Sequence, residues 1–214
     1  MRLYIPPRQH MQKTSNEDAI TFYYWPGIRY LYLKRLANTL ELLGEGPYHK
    51  LLEIGYGSGI ALPELSQRCQ QLYGVDIHKN VSMVEKSMKK EKIQAILSVG
   101  NILCLDFEDA FFDAVVSVSV LEHIQNLDKA VGEIHRVLKQ GGQAVLSFPV
   151  RNIITDTFFR MVGFKPREIH PSSHQDILSA VSQYFDSFSM LNFPKFLPHD
   201  IALYTSIMVD KFGF

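Results

Sequence analysis

Strands and helices alternate along most of the sequence, and this alternation limits the folds that the chain can adopt. Between residues 51 and 148, short apolar runs typical of buried strands are separated by segments with helical spacing. Such repeats form parallel sheets, because each connection between parallel strands crosses over a face of the sheet and covers it with a helix. No helix of crossover length separates the last two apolar runs, 188–191 and 203–209, which predicts a hairpin and an antiparallel edge strand.

The segment that precedes the alternation has a helical pattern. Ser15 or Asn16 can cap a short first helix, which Pro26-Gly27 interrupts, and a second helix is predicted from Ile28 to Leu43. We therefore divide the chain into an N-terminal helical cap or lid, residues 1–48, and a sheet domain, residues 49–214. The cap contains the single tryptophan and is rich in tyrosine. Its aromatic side chains can cover a ligand or dock the cap on the sheet, and both roles are open.

The composition is that of a globular protein without an excess of either charge. Hydrophobic residues make up 46% of the chain, and 22 Lys and Arg balance 22 Asp and Glu. This balance argues against a dedicated nucleic-acid-binding protein, because such proteins bind largely by neutralising phosphates. The longest apolar-rich stretch, residues 111–121, is too short to span a bilayer. With two cysteines and no apolar leader segment, we expect a cytoplasmic protein.

A glycine-rich turn follows the first predicted strand. Gly55, Gly57 and Gly59 lie between the apolar run that ends at Ile54 and a predicted helix. Glycine permits a close approach of the backbone to a ligand, and free N–H groups at a helix start favour an anion. In open α/β sheets, ligands bind at this carboxyl edge of the strands. The turn is therefore the predicted binding site.

A carboxylate and the glycine spacing indicate what kind of ligand the turn binds. Asp76 ends the second predicted strand, where it can accept hydrogen bonds from both hydroxyls of a ribose. The dinucleotide fingerprint Gly-x-Gly-x-x-Gly is not matched, because Ile60 stands at the position of its third glycine. The spacing is instead Gly-x-Gly-x-Gly, with Glu53 two residues before the first glycine. The pattern predicts a ligand that contains a nucleoside, and its glycine spacing departs from the dinucleotide fingerprint.

In this pattern the sequence resembles the class I S-adenosylmethionine-dependent methyltransferases, whose first motif is acid-x-Gly-x-Gly-x-Gly. The resemblance covers residues 49–148 and continues in the family's order. The further matching segments are Asp76 as the ribose-binding acid, Gly100-Asn101-Ile102 at the adenine-contacting position, Phe112–Ser117 as the fourth strand, Val120–Ile124 as the Leu-Glu-His signature of the small-molecule subgroup, and Leu138–Gly142 as the turn before the fifth strand. Two positions depart from the family pattern, since Asn101 replaces an Asp and Gln140 replaces a Pro.

The resemblance implies a Rossmann-like α/β fold and a cofactor. The implied sheet has seven strands in the order 3-2-1-4-5-7-6, mostly parallel with strand 7 antiparallel, and helices on both faces. The implied cofactor is S-adenosylmethionine, with S-adenosylhomocysteine as product. The residues expected around the cofactor are Glu53, Gly55, Tyr56, Gly57, Gly59, Asp76, Ile77, Asn101, Ile102, Ser117 and Ser119. Within this set, the resemblance implies that the glycines surround the methionine part and that Asp76 binds the ribose.

The implied reaction transfers a methyl group to an oxygen, nitrogen or carbon atom of a small metabolite. Positioning of the acceptor in line with the methyl group can supply most of the catalysis. His123 is the candidate base for an acceptor that must lose a proton, and a packing role is its alternative. A protein or RNA acceptor, and a non-catalytic sensor or partner subunit that binds the cofactor, remain open as functions. Both a monomer and a homodimer are compatible with the sequence.

Three further expectations concern the segment that follows the fifth strand. Residues 149–172 form a long connection that can cover a substrate, and basic and apolar residues adjoin at 158–167, so a contact with a membrane surface is possible although no membrane partner is expected. His170 and His174 have helical spacing but no evident third ligand, so we predict no metal. Ser172 and Gln175 predict a capping box at the start of the last helix.

Overall fold

Seven strands pair into one sheet. Their bounds are Tyr48–Ile54 (β1), Cys69–Asp76 (β2), Ile96–Val99 (β3), Phe112–Val118 (β4), Leu138–Pro149 (β5), Phe188–Phe193 (β6) and Tyr204–Asp210 (β7). The strands lie in the order β3-β2-β1-β4-β5-β7-β6, which confirms the predicted order. The computed structural model describes residues 3–15, 18–152, 155, 157 and 171–212.

Helices connect the strands on both faces of the sheet. The described α-helices are Arg29–Leu43 (α1), Leu62–Ser66 (α2), Val81–Glu91 (α3), Leu127–Val137 (α4) and His174–Val181 (α5). Short 3-10 helices are formed by Arg8–His10, Ala19–Tyr23, Leu121–His123 and His199–Ile201. In the described part of the chain, no helix is both long and apolar enough to cross a bilayer.

The strand directions agree with the expected fold class. β1 pairs in parallel with β2 and β4, and the parallel pairing extends to β3 on one side and to β5 on the other. β7 runs antiparallel to both of its neighbours, β5 and β6. The hairpin expected at the end of the sequence is therefore present, but its antiparallel strand lies inside the sheet. The edge strand on this side of the sheet is β6.

Two apolar clusters cover the two faces of the sheet. Successive side chains of a strand point to opposite faces, so neighbouring residues of one strand contribute to different clusters. Leu52 packs in the cluster formed with α4 and α5, whereas Leu51 packs in the cluster formed with α1, α2 and α3. Val115 and Val116 divide in the same way on β4. Burial on both faces explains why these strands are continuous apolar runs.

Among the described residues of the predicted cap, α1 packs on the sheet and the first residues contact α3. Thr39 on α1 shares a hydrogen bond of 2.7 Å with Ser147 on β5. The side chains of Tyr4 and His10 both contact Glu91 at the end of α3. The short helix Ala19–Tyr23 is capped by Asp18, whose side chain accepts a hydrogen bond from the Ile20 N–H, and not by Ser15 as the sequence predicts. The other predicted cap, Asn16, lies outside the described residues.

Two expectations about the segment after β5 have different outcomes. Most of the predicted cover at 149–172, including all of 158–167, lies outside the described residues. The capping box of α5 is formed by Ser173 and Asp176, so the prediction of Ser172 and Gln175 is wrong by one residue. The Ser172 hydroxyl instead donates to the Ile124 carbonyl, a contact with the loop after β4 that local sequence does not reveal.

Candidate active site

The glycine-rich turn lies at the carboxyl end of β1 and is fixed to its neighbours by backbone contacts. The Gly55 N–H donates to the Val75 carbonyl at 2.8 Å, and the Gly59 N–H donates to the Tyr56 carbonyl at 2.7 Å. Gly55 has a φ of +78°, and a Cβ added there would lie 2.2 Å from Cγ2 of Val120. Both the conformation and the close approach exclude a larger residue. The turn therefore packs directly against the loop that follows β4.

Asp76 lies beside the turn because β2 pairs with β1. Its Oδ2 accepts a hydrogen bond of 2.7 Å from the Gly57 N–H, and its Oδ1 accepts one of 3.1 Å from the His78 N–H. A carboxylate has about four acceptor positions, so Asp76 can also accept hydrogen bonds from a ligand. The structure thus brings the glycine turn and the strand-end carboxylate together at one edge of the sheet.

Two buried polar atoms at the ends of β1 and β4 have no partner among the described residues. Glu53 is 3% exposed and its Oε2 has no hydrogen bond, and the same holds for Oγ of Ser117. Burial, together with the charge of Asp76, raises the pKa of Glu53 to about 8. Buried polar atoms without partners are uncommon and cost free energy. A ligand with hydrogen-bond donors, such as an ammonium group, would supply the missing partner of Glu53.

The three residues expected near an adenine differ in exposure. The Ile77 side chain is 73% exposed, so it presents an apolar surface beside Asp76. Asn101 is also exposed, and its Oδ1 accepts a hydrogen bond of 2.9 Å from the Leu103 N–H. Ile102 is buried in the apolar cluster with α4 and α5, so only its backbone remains available to a ligand.

Tyr56 contributes its backbone to the turn, whereas its side chain lies in the core. The ring packs at 5.0 Å from the ring of His78, and its hydroxyl lies 3.4 Å from the Ser98 carbonyl. His78 was not singled out in the sequence. Its Nδ1 accepts from the Asn80 N–H, which leaves the proton on Nε2 to donate to the Gly57 carbonyl at 2.8 Å. The sequence signal that could have identified His78 is a histidine two residues after Asp76, the acid that ends the second strand.

The cap contacts the glycine turn through Asp18. Besides capping its own helix, Oδ1 of Asp18 accepts a hydrogen bond of 3.3 Å from the Ser58 hydroxyl. Its Oδ2 accepts from both the N–H and the hydroxyl of Thr14. Asp18 belongs to none of the sequence motifs, and its contact with the turn arises only when the cap docks.

A second polar group, which we call the Arg35 cluster, lies where the cap meets the ends of β4 and β7. It consists of Arg35, Tyr23, Tyr32, Ser119 and Tyr204. Arg35 donates to the Ser119 hydroxyl at 2.9 Å and to the Tyr23 hydroxyl at 3.1 Å. Its guanidinium carbon lies 4.3 Å from the ring centroid of Tyr32 and 5.4 Å from that of Tyr204. Ser119, expected beside the cofactor, thus has its hydroxyl in contact with the cap.

The Leu-Glu-His segment follows β4 as a 3-10 helix, Leu121–His123. Glu122 is buried, its Oε2 has no hydrogen-bond partner among the described residues, and burial raises its pKa. His123 ends this helix and is exposed. The role of His123 as a base therefore stays a prediction.

A group of three residues that lies away from the glycine turn resembles a metal site. His174 and His199 both place Nε2 near Oδ1 of Asp200, at 3.7 and 2.9 Å. However, Nδ1 of His174 accepts a hydrogen bond from the Arg151 N–H, so its proton resides on Nε2. A protonated nitrogen has no lone pair for a metal, and the group does not fit one. His170, the other half of the predicted pair, lies outside the described residues.

Comparisons with known proteins agree with this architecture. Residues 52–146 match a family model described as a methyltransferase domain. The uncharacterized methyltransferase YcgJ of Bacillus subtilis is 34% identical over 113 residues, which cover 52% of this chain and 44% of that protein. In two further curated relatives the match covers 24% and 30% of their length. The chain therefore spans less than half the length of these relatives.

Solved structures share the fold at low sequence identity. A methyltransferase of Thermotoga maritima, described as S-adenosylmethionine-dependent and as a possible histamine N-methyltransferase, has a TM-score of 0.66 at 21% identity over 86% of this chain and 90% of its own. Geranyl diphosphate methyltransferase in complex with GPP and sinefungin has a TM-score of 0.67 at 17% identity, over 86% of this chain and 80% of its own. The family-model match, the relatives and the sheet order support a class I S-adenosylmethionine-dependent methyltransferase fold for this chain.

Proposed function

We propose that the chain binds S-adenosylmethionine at the carboxyl ends of β1 and β2 and transfers its methyl group to a small molecule. The observation that carries the proposal is the buried Glu53, unpaired at Oε2, beside the glycine turn. Glu53 offers an acceptor that suits the ammonium group of the cofactor. The acceptor positions left on Asp76 suit the ribose hydroxyls, and Ile77 and Asn101 suit the adenine.

Binding and alignment are the chemical tasks of the chain's own residues. When bound, the sulfonium of the cofactor supplies an activated methyl group and leaves as a neutral thioether, so no acid is required. The hydrogen bonds of Asp76 to Gly57 and His78 hold the turn in one geometry. A rigid site of this kind accelerates transfer mainly by orientation. For a hydroxyl acceptor, His123 is the proposed base.

Two observations favour a small acceptor over a protein or RNA. The names of the Thermotoga neighbour and of geranyl diphosphate methyltransferase refer to small molecules. The net charge of zero also does not favour a polynucleotide acceptor.

Calorimetric titration with S-adenosylmethionine, with NADH as the comparison ligand, tests the proposed cofactor. We expect saturable one-to-one binding of S-adenosylmethionine alone. Asp76→Ala should weaken it by at least about tenfold, because charge-assisted hydrogen bonds are lost. Asp76→Asn keeps an oxygen for the Gly57 N–H and separates the loss of charge from a disordered turn. Asp186→Ala, at an exposed aspartate before β6, is the matched control.

The other outcomes each contradict a part of the proposal. Binding of NADH alone would assign the turn to a dinucleotide and an oxidoreductase. Binding of neither ligand, in protein shown to be free of copurified cofactor, would favour a partner subunit. An unchanged affinity in a folded Asp76→Ala variant would show that the ribose binds elsewhere.

A further inference from the structure

The Arg35 cluster borders the glycine turn on the side away from Asp76. Ser119 directly follows β4, and Tyr204 begins β7 opposite Pro149 at the end of β5. The next residue after Ser119, Val120, is the one that packs against Gly55. Asp76 lies on the opposite side of β1, at the end of β2. The cluster therefore lies on the side of the turn opposite to the proposed nucleoside, where a methyl acceptor could bind.

The positive charge of Arg35 is not balanced by an ion pair. Both hydrogen bonds of its guanidinium with described residues go to hydroxyl groups, and its Nε is buried without a partner. None of the ion pairs among the described residues includes Arg35, whereas Arg68 and Arg136 each contact a carboxylate. A cation withdrawn from water is costly unless it is paired with a negative group. Among the described residues, no carboxylate is hydrogen-bonded to Arg35.

The nearest acidic candidate does not supply this partner directly. Glu122 is close enough for the charge of Arg35 to affect it and has a side-chain hydrogen bond with Ser119, whereas burial raises the pKa of Glu122. Its Oε2 is itself without a hydrogen bond among the described residues. The two groups therefore do not form a hydrogen-bonded ion pair.

The remaining groups of the cluster match an oxyanion attached to a flat or apolar body. A guanidinium binds carboxylates and phosphates through parallel N–H donors, and tyrosine hydroxyls add further donors. The hydroxyls of Tyr204 and Ser119 share a hydrogen bond of 2.8 Å beside the guanidinium, so an oxyanion at Arg35 would also lie next to these hydroxyls. The rings of Tyr23, Tyr32 and Tyr204 provide apolar walls around the same point.

We propose that the methyl acceptor carries an oxyanion, a carboxylate or a phosphate, which binds to Arg35 in this cluster. The inference rests on the proposed methyl transfer and adds the class of acceptor. Arg35 is then a specificity-determining residue, which orients the acceptor from the side of the cap. A purely structural Arg35, which only docks α1 on the sheet, is the alternative that the experiment has to separate.

Titration of the wild-type protein with simple anions tests the proposal directly. Benzoate and inorganic phosphate are titrated calorimetrically, with and without S-adenosylhomocysteine, and benzamide serves as the neutral counterpart of benzoate. We expect saturable binding of at least one anion and at least about tenfold weaker binding of benzamide. Benzoate and phosphate in separate titrations distinguish the two kinds of oxyanion. Equal affinities for benzoate and benzamide, or no binding of either anion, would overturn the proposal.

Substitution of Arg35 identifies the residue that binds the anion. Arg35→Met should weaken anion binding at least about tenfold and leave the affinity for S-adenosylhomocysteine within about twofold. Arg29→Met removes an exposed arginine at the start of the same helix and should behave as wild type. Arg35→Lys keeps the charge without the planar donors and should bind the anion with intermediate affinity. It serves as the test variant if Arg35→Met does not fold.

The two proposals fail in different measurements. A folded Arg35→Met protein that binds benzoate as well as wild type would mean that Arg35 only docks the cap. If the wild-type protein did not bind S-adenosylhomocysteine, the proposed cofactor would be contradicted. The anion titration of the free protein would still test the role of Arg35.

Discussion

Gly55 and Gly141 share a left-handed backbone but differ in their surroundings, and this difference leads to a prediction. Gly55 has a φ of +78° and Gly141 one of +73°. An added Cβ meets Val120 at 2.2 Å in Gly55, whereas it meets no atom within 4 Å in Gly141. Gly141→Ala should therefore cost only the backbone strain, about 1–2 kcal/mol. Gly55→Ala should cost clearly more, as measured by urea unfolding of both variants.

The pair of variants also distinguishes two explanations of the glycine turn. Equal losses of stability would mean that Val120 moves away at no cost, and that close packing of the turn against the loop after β4 is unimportant. A larger loss in Gly55→Ala, accompanied by weaker binding of S-adenosylmethionine, would tie the packing to the proposed site.

At the scale of single residues, the sequence reveals groups whose partners are nearby in the chain. The glycines, Glu53 and Asp76 could be predicted because they lie at or next to the carboxyl ends of β1 and β2 with a family-specific spacing. Arg35 could not, because its partners Ser119 and Tyr204 are far away in the sequence and approach it only in the folded protein. Nothing in the helical pattern around Arg35 separates it from an ordinary surface arginine.

At the scale of elements, Lys211 connects the end of β7 to the end of α4. Its side chain is 9% exposed and donates to the carbonyls of His135 and Leu138, at 2.7 and 2.9 Å. Carbonyls at a helix C-terminus lack intrahelical partners, and a cation there also interacts favourably with the helix dipole.

Lys211→Met should therefore destabilise the protein by about 1.5–3 kcal/mol, because two carbonyls lose a charged donor. Lys129→Met, at an exposed lysine on α4, is the control and should change stability by less than about 0.5 kcal/mol. Urea unfolding measures both. If the two variants were equally stable, water would replace the lysine at no cost, and the proposed link between β7 and α4 would be wrong.

The positions of the strands and helices were easier to predict than the residues that cap the helices. An apolar run marks every strand, and the runs are most continuous in central strands such as β4, which are buried on both faces, whereas the edge strands β3 and β6 are only partly covered. The start of α5 was predicted at Ser172 with Gln175, but Ser173 and Asp176 form the capping box. Both pairs have the required spacing, and the choice depends on the contact of Ser172 with Ile124. A tertiary contact of this kind has no local signal.

At the scale of the whole molecule, Glu53 affects how stability depends on pH. Burial and the charge of Asp76 raise the pKa of Glu53 from 4.5 to about 8 in the folded state. Between these values the folded protein holds a proton that the unfolded chain has released. The stabilisation from the protonated form is thus complete below pH 4.5 and decreases until the pH exceeds about 8.

Glu53→Gln removes this titration and should flatten the curve in that window. The free energy of unfolding of wild type, relative to the variant, should fall with pH by up to about 1.4 kcal/mol per unit. Urea unfolding of both proteins across the window measures the difference. Parallel curves for the two proteins would contradict the raised pKa of Glu53.

The overall architecture could be predicted more completely than the acceptor site. Crossover connections restrict the sheet order strongly, and the motifs from Glu53 to Gly142 follow the family's sequence of elements. The Arg35 cluster instead combines the cap with β4 and β7, which meet only after the sheet has formed. Its chemistry therefore emerged from the structure, whereas the cofactor was expected from the sequence.

The position of β7 sets the order in which the sheet is completed during synthesis. β7 follows β6 in the sequence but lies between β5 and β6. On the ribosome, β6 therefore emerges before the one described strand with which it pairs, and β5 has an open edge until β7 arrives. Open strand edges can pair with other chains and lead to aggregation. A nascent chain of this protein is thus most vulnerable just before its residues 204–210 leave the exit tunnel.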